Sequence, residues 1–422
     1  MVSQSGIFYT KAETLTKKEF FMRRVNNTVI YICATLITLL LFSMLTVYAI
    51  SGTEHRVNAR ISGAMASDTS VAASGNIRGI SARAAVLYEP VTGEILYEKN
   101  ADARLPMAST TKIMTAIVVA ERCRTDEVII IGPESVGIEG SSAYLREGDE
   151  YTVEELLYAL LLQSANDAAT ALAYYTAGGI AEFAELMNEK AADLGLLDTH
   201  FTNPHGLDDE EHYTTASDLA KIGAELLKND LLKRIVSTYK KTFTYGERTR
   251  TYINHNKLLH RYDGAIGMKT GFTKRSGRCL VGAAERDGLV LISVTLNAPS
   301  DWADHAALFD FGFDTLECLT LCGEGDYLQE MKIVGGDKES ILISAEKNLA
   351  IIKKNEEYTI KEYIELPRYG IAPIKTGDIV GRVVFKVGDE LYSVNLIARE
   401  DAALKDEGGI LKKIFSNIFK RG

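Results

Sequence analysis

The chain has 422 residues, 46% hydrophobic and 25% charged, a globular composition with length for about two domains. Its formal net charge of -10 excludes the broad basic face that nucleic-acid binding requires.

Lys11, Lys17, Lys18, Arg23 and Arg24 precede an uncharged, largely apolar run from Val29 to Ile50. That run is long enough to span a bilayer. Positive charge before it predicts a cytoplasmic N-terminus and export of the chain beyond the run. Val47-Tyr48-Ala49 fits a small-residue cleavage site, so residues 1–50 read as a cleaved signal peptide or a retained anchor. Residues 51–78, rich in Ser, Ala and Gly, read as a flexible spacer. Beyond Cys33 lie Cys123, Cys279, Cys318 and Cys322. An exported chain can pair such cysteines, but small buried thiols are the favoured reading, and Cys318-x-x-x-Cys322 lacks the second pair of a zinc cluster.

Order is expected from about Arg83. Ala84–Tyr88 and Glu94–Tyr97 read as strands joined by the Glu89-Pro90-Val91-Thr92-Gly93 turn. A helix-rich stretch comes next, from about Ser109 to Leu232, in which Thr152 and Glu155 form a capping-box pattern before an apolar run. Strands return at 276–284 and 289–296, around the hairpin signal Asp287-Gly288. Strands on both sides of a helical insert predict one sheet whose edges come from distant sequence. From about residue 321, short alternating runs separated by Gly335-Gly336-Asp337 and Gly388-Asp389 read as a small all-β domain. At the end, Ile410, Leu411, Ile414, Phe415, Ile418 and Phe419 share one helical face, with Lys412, Lys413, Lys420 and Arg421 on the remainder. That helix is too short to span a bilayer and suits a membrane interface, the alternative being docking on the protein itself.

Three constellations carry chemistry. Ser109-Thr110-Thr111-Lys112 leads into the apolar positions Ile113, Met114, Ile117 and Val118, so Ser109 sits near a helix start with Lys112 on nearly the same side. A serine hydroxyl needs a base, and a lysine serves if burial or a neighbouring cation lowers its pKa. Ser164-Ala165-Asn166 lies between two helices, where Ser164 can relay a proton and Asn166 can hold a substrate amide. Lys269-Thr270-Gly271 belongs on a strand. Lys269 and Thr270 offer donors to a carboxylate, Gly271 permits close backbone approach, and the Phe272 N–H can complete an oxyanion hole. Ser237–Lys240, Ser344–Lys347, Ser74–Asn76, Ser393–Asn395 and Lys375–Gly377 repeat single motifs. None of these supplies the ordered settings of helix start, interhelical loop and strand.

The chain resembles the low-molecular-mass penicillin-binding proteins, the serine-type D-alanyl-D-alanine carboxypeptidases of peptidase family S11. The resemblance runs from about Arg83 to the C-terminus. It rests on Pro106–Lys112, Ser164–Ala168, Asn203-Pro204-His205-Gly206-Leu207 and Gly267–Thr273. It implies an α+β fold: a β-lactamase/transpeptidase-like catalytic domain at 79–320, a β-rich domain at 321–403 and an amphipathic membrane-anchoring helix at 404–422. It further implies hydrolysis of a peptidoglycan stem pentapeptide ending in D-Ala-D-Ala, through an acyl-enzyme on Ser109, with Lys112 as general base and Ser164 as proton relay. Asn166, Lys269, Thr270, Gly271 and Phe272 would bind substrate, and β-lactams would acylate Ser109. The motifs require neither a metal nor an organic cofactor. The implied site is the extracytoplasmic face of a bacterial membrane. His255 stands where some members carry arginine near the substrate carboxylate. His205 and His212 match no helical zinc motif, so their turn-rich segment reads as a structured loop. A β-lactamase of the same fold and a non-catalytic sensor of β-lactams or wall fragments are the competing functions.

Overall fold

The structure, a computed structural model, describes residues 79–245 and 248–405, together with residue 77 and two short strands, Phe8–Tyr9 and Ala12–Thr16. The apolar run at 29–50, almost all of the spacer at 51–78 and the terminal amphipathic helix at 410–421 lie outside the described residues. Among the described residues no helix is long and apolar enough to cross a membrane. The chain divides into two compact units, Ala73–Cys318 and Leu319–Gly422, the second also taking Met1–Ala72.

The first unit is built on a five-stranded antiparallel sheet. Its strands are β1 (Ala84–Glu89), β2 (Glu94–Lys99), β3 (Ala265–Thr273), β4 (Gly277–Arg286) and β5 (Leu289–Leu296), in the order β2-β1-β5-β4-β3. The edges β2 and β3 are about 170 residues apart in sequence, as the helical insert predicts. β5 is a nearly continuous buried run, because helices cover both sheet faces. Asp287 and Gly288 have φ values of 49° and 83°, the left-handed pair that a two-residue hairpin needs.

The longer helices of the insert are α1 (Lys112–Arg122), α2 (Val153–Leu162), α3 (Asn166–Ala177), α4 (Ile180–Asp193), α5 (Ala216–Leu227) and α6 (Asp230–Ser237). The Thr152 hydroxyl accepts the Glu155 N–H at 3.2 Å, so the predicted cap starts α2. α2 is apolar on almost every side and is correspondingly central, with Leu156, Leu157, Leu160, Leu161 and Leu162 all buried. On the other sheet face lies α7 (Asp301–Thr315), whose buried His305 sits between the hydroxyls of Ser293 and Thr295 on β5.

The second unit is β-rich. Thr359–Pro367, Ile379–Val387, Glu390–Ala398, Ser340–Ala345 and Gln329–Val334 are consecutive neighbours in one sheet over a core that includes Ile343, Ile360, Val383, Phe385 and Leu396. Phe8–Tyr9 and Ala12–Thr16 pair antiparallel with Thr359–Pro367. A chain that keeps residues 8–16 in the cytoplasm while exporting Thr359–Pro367 cannot make this pairing.

Candidate active site

Ser109 lies in a 3-10 turn, Ala108–Thr111, that runs directly into α1. Ala108 has φ 50°, a left-handed conformation that costs a non-glycine residue free energy. Two hydroxyls hold the turn: Thr110 donates to the Met107 carbonyl at 2.7 Å and Thr111 to the Ala108 carbonyl at 2.8 Å.

Lys112, the first residue of α1, is fully buried. Its Nζ lies 3.0 Å from Ser109 Oγ and 2.7 Å from Asn166 Oδ1, and it also donates to the His205 carbonyl. Burial first, and then the positive charge of Lys269, drive Lys112 well below the usual lysine range. In its neutral form, which this lowering favours, the amine has two N–H groups and one lone pair. Asn166 Oδ1 and the His205 carbonyl can accept only, so they take the two hydrogens, and the lone pair is left facing the Ser109 hydroxyl.

β3 is the edge of the sheet beside this turn. A Cβ on Gly271 would stand 3.0 Å from the Ser109 nitrogen and 3.1 Å from the Met107 carbonyl oxygen, so any side chain there would push strand and turn apart. Strand alternation sends Thr270 and Phe272 to one face and Lys269 to the other. Lys269 is buried, donates to the Thr270 carbonyl at 2.8 Å and is pushed down to about 7 by burial. Met268 before it has φ 93°, and the β3–β4 register shifts at Ala283/Ala284.

Ser164, in the connection from α2 to α3, is another left-handed non-glycine residue, with φ 63°. Asn166 opens α3. Its backbone N–H donates to the Ser141 carbonyl at 2.7 Å and its Nδ2 to the Glu139 carbonyl at 2.5 Å. Asp167 gathers the same loop, accepting from Ser142 Oγ at 2.6 Å and from the N–H groups of Ala143 and Leu145 at 3.0 and 3.1 Å.

The segment 203–212 closes the back of the site. Gly206 has φ 82°, and a Cβ there would lie 2.0 Å from the Ala108 carbonyl oxygen. The His212 Nδ1 accepts the Thr202 N–H at 3.0 Å, which leaves Nε2–H to donate to Thr111 Oγ1 at 2.7 Å. Burial lowers His212 to about 4 and His205 to about 3, so both are neutral near pH 7. His212 holds the turn that carries Ser109 through Thr111, while the His205 carbonyl accepts from Lys112. Among the described residues no cluster of His, Cys, Asp and Glu could hold a metal ion.

Ser109, Ser164, Thr270, Gly271 and Phe272 line a cleft of about 330 Å³. Lys112 lies beneath Ser109. Asn166 and Lys269, also expected to bind substrate, are buried, with Asn166 Oδ1 accepting from Lys112 and Lys269 donating to the Thr270 carbonyl. Sequence reasoning missed Ser141, Lys257, Arg278, Asp301 and Trp302, which also line the cleft. His255 lines it too; burial, and then Lys269, lower its imidazole. Cys279 is a buried free thiol pushed up to about 11, while Cys123 and Cys318 are free and partly buried. Of the repeated motifs, Ser237 bonds back to the Lys233 carbonyl at the end of α6, and Lys375–Gly377 forms a turn closed by Asp378.

A serine with a buried amine of lowered pKa behind it, set against a strand edge, defines a serine acyl-transfer site on the β-lactamase/transpeptidase-like fold. Residues 69–300 match the family model of the D-alanyl-D-alanine carboxypeptidases, peptidase family S11, and residues 317–403 match the C-terminal domain of penicillin-binding protein 5. The chain belongs to this carboxypeptidase family. It is 31% identical over 331 residues to the D-alanyl-D-alanine carboxypeptidase DacF of Bacillus subtilis, covering 76% of this chain and 85% of that protein. It is 32% identical to the D-alanyl-D-alanine carboxypeptidase DacC of Escherichia coli, covering 81% and 88% of the two chains. Among solved structures, penicillin-binding protein 5 from Haemophilus influenzae is similar with a TM-score of 0.56 and 30% identity, covering 77% of this chain and 98% of that one.

Proposed function

We propose that this protein removes the terminal D-alanine from peptidoglycan stem peptides ending in D-Ala-D-Ala. The observation that carries the reading is Lys112, desolvated, deprived of any counter-ion among its hydrogen-bond partners and 3.0 Å from Ser109 Oγ. Ser109 Oγ attacks the penultimate carbonyl carbon and its proton passes to the Lys112 amine. The N–H groups of Ser109 and Phe272 receive the oxyanion. As the C–N bond breaks, the proton moves through the Ser164 hydroxyl to the departing D-alanine nitrogen. Water then attacks the ester, giving a proton to Lys112, and Ser109 Oγ takes that proton back as it leaves.

A β-lactam acylates the same serine. Among the described residues lining the cleft the one carboxylate is Asp301, held by Arg278 at 2.9 and 2.8 Å. Both its oxygens accept from Arg278, so it is not a free base for a deacylating water, which favours a persistent adduct over β-lactamase turnover. The cationic, apolar-faced stretch at 410–421 supports attachment to a membrane surface, and the basic residues before the apolar run at 29–50 support export.

The test is release of D-alanine from diacetyl-lysyl-D-alanyl-D-alanine by the full chain and by Ser109→Ala. Release that disappears in the variant supports the reading. A folded wild type that is labelled by penicillin but releases nothing favours the sensor, and rapid penicillin turnover favours the β-lactamase.

A further inference from the structure

We propose that Thr115, one turn along α1 from Lys112, positions the base of the acyl-transfer step by holding the backbone that supplies one of its two acceptors. This assignment rests on the reading of Ser109 and Lys112 above. Lys112 keeps its lone pair on Ser109 only while both of its hydrogens are taken elsewhere. Asn166 Oδ1, one acceptor, is itself held, because Asn166 Nδ2 donates to the Glu139 carbonyl at 2.5 Å. The other acceptor is the His205 carbonyl, a backbone group in the connection from α4 to α5. A carbonyl in such a connection stays in place only if the chain around it is tied down.

Thr115 is the tie. Residues 112 and 115 are three apart in α1 and share a face of the helix. Thr115 is completely buried, and its hydroxyl donates to the carbonyl of Pro204, also buried, at 2.6 Å. The Lys112 amine and the Thr115 hydroxyl therefore take two successive carbonyls, those of His205 and Pro204. Asn203 closes the same turn within itself: its Oδ1 accepts the Gly206 N–H at 2.7 Å and its Nδ2 donates to the Leu207 carbonyl at 3.1 Å. Asn203 shapes the turn, and Thr115 fastens it to the helix that carries the base. Thr115 does not line the cleft, so it is a positioning residue and not a binding one. Removing its hydroxyl leaves a buried carbonyl without this donor, and such a group moves to find another. The His205 carbonyl, one peptide further on, moves with it. The amine can then turn an N–H, instead of its lone pair, towards Ser109.

The experiment follows acylation of the full chain by benzylpenicillin in single-turnover kinetics, which separates the dissociation constant of the non-covalent complex from the acylation rate constant. Thr115→Val keeps the shape and removes the hydroxyl. Its rate constant is expected to fall about 10- to 100-fold, part of the roughly 10²- to 10⁴-fold that a positioned base contributes, with the dissociation constant within about twofold of wild type. Thr115→Ser keeps the hydroxyl and is expected to recover most of the rate. Ser293→Ala, which removes a buried hydroxyl from its bond with His305 on the other sheet face, is the comparator for lost stability. It should lower the urea midpoint and leave the rate constant unchanged. A rate constant does not depend on how much of a variant folds, so partial unfolding cannot imitate the effect. Thr115→Val at the wild-type rate constant, a change confined to the dissociation constant, Thr115→Ser as slow as Thr115→Val, or Ser293→Ala slowed equally overturns the assignment. A wild type that is acylated but releases no D-alanine from diacetyl-lysyl-D-alanyl-D-alanine overturns the carboxypeptidase reading alone. One that is not acylated overturns both.

Discussion

Lys112 owes its chemistry to what surrounds it. Two carbonyl oxygens consume its hydrogens, and Lys269 raises the cost of charging it. The motif Ser-x-x-Lys was legible, as was the need to lower the lysine's pKa, because both follow from residue type and spacing. The left-handed residues were not. Ala108, Ser164 and Met268 each sit at or next to a motif with positive φ, and none is a glycine, so nothing in the sequence announces them. The same is true of the His205 carbonyl, a group every residue possesses. Gly271 was legible as a site of close approach, and the structure supplies the partner. Gly271→Ala is expected to lower kcat/KM about 10- to 100-fold, since displacing the strand from Ser109 by a fraction of an ångström spoils the reacting geometry. Steady-state kinetics on the D-Ala-D-Ala peptide checks this, and a change below twofold contradicts it.

Elements were legible where periodicity and turn chemistry agreed. The β4–β5 hairpin and the cap of α2 stand where Asp287-Gly288 and Thr152–Glu155 put them. The segment 203–212 reads from sequence only as a structured loop, because its packing partner, the Ser109 turn, lies about 95 residues upstream. Gly206 shows how tight that packing is. Gly206→Ala forces a methyl group onto the Ala108 carbonyl and strains a φ of 82°, and should cost about 2–4 kcal/mol. Gly178, with φ 85° at the end of α3 and nothing within 4 Å of where its Cβ would stand, is the control. Gly178→Ala should cost about 1 kcal/mol. Equal destabilisation of the two variants in urea would show that strain, not contact, dominates at Gly206.

At the scale of the molecule, the first unit buries three neutral histidines, His205, His212 and His305, lowered to about 3, about 4 and about 3 by burial. An unfolded histidine binds its proton near pH 6.5. Between that pH and about 4 the unfolded chain therefore holds more protons than the folded one, and stability falls as pH falls. At about 1.4 kcal/mol per proton per pH unit, the three together give a slope of about 4 kcal/mol per pH unit near pH 5. The single tryptophan, Trp302, lies in this unit, so its fluorescence during urea unfolding at pH 7, 6 and 5 isolates the effect. A midpoint that stays constant across that range would contradict neutral burial of these side chains.

The two edges of the five-stranded sheet are treated differently. β2 carries Glu94, Glu98 and Lys99 along its length, and charges of this kind discourage another strand from adding there. β3 carries no such row, yet it is not left open to any passing strand, because the Ser109 turn stands within 3.0 Å of where a Gly271 side chain would begin. An unguarded edge of this composition is a nucleus for aggregation. The Ser109 turn packs over one face of this edge at Gly271, and the edge borders a cleft of about 330 Å³. The same packing that brings the strand to the nucleophile narrows the room left for another strand beside it.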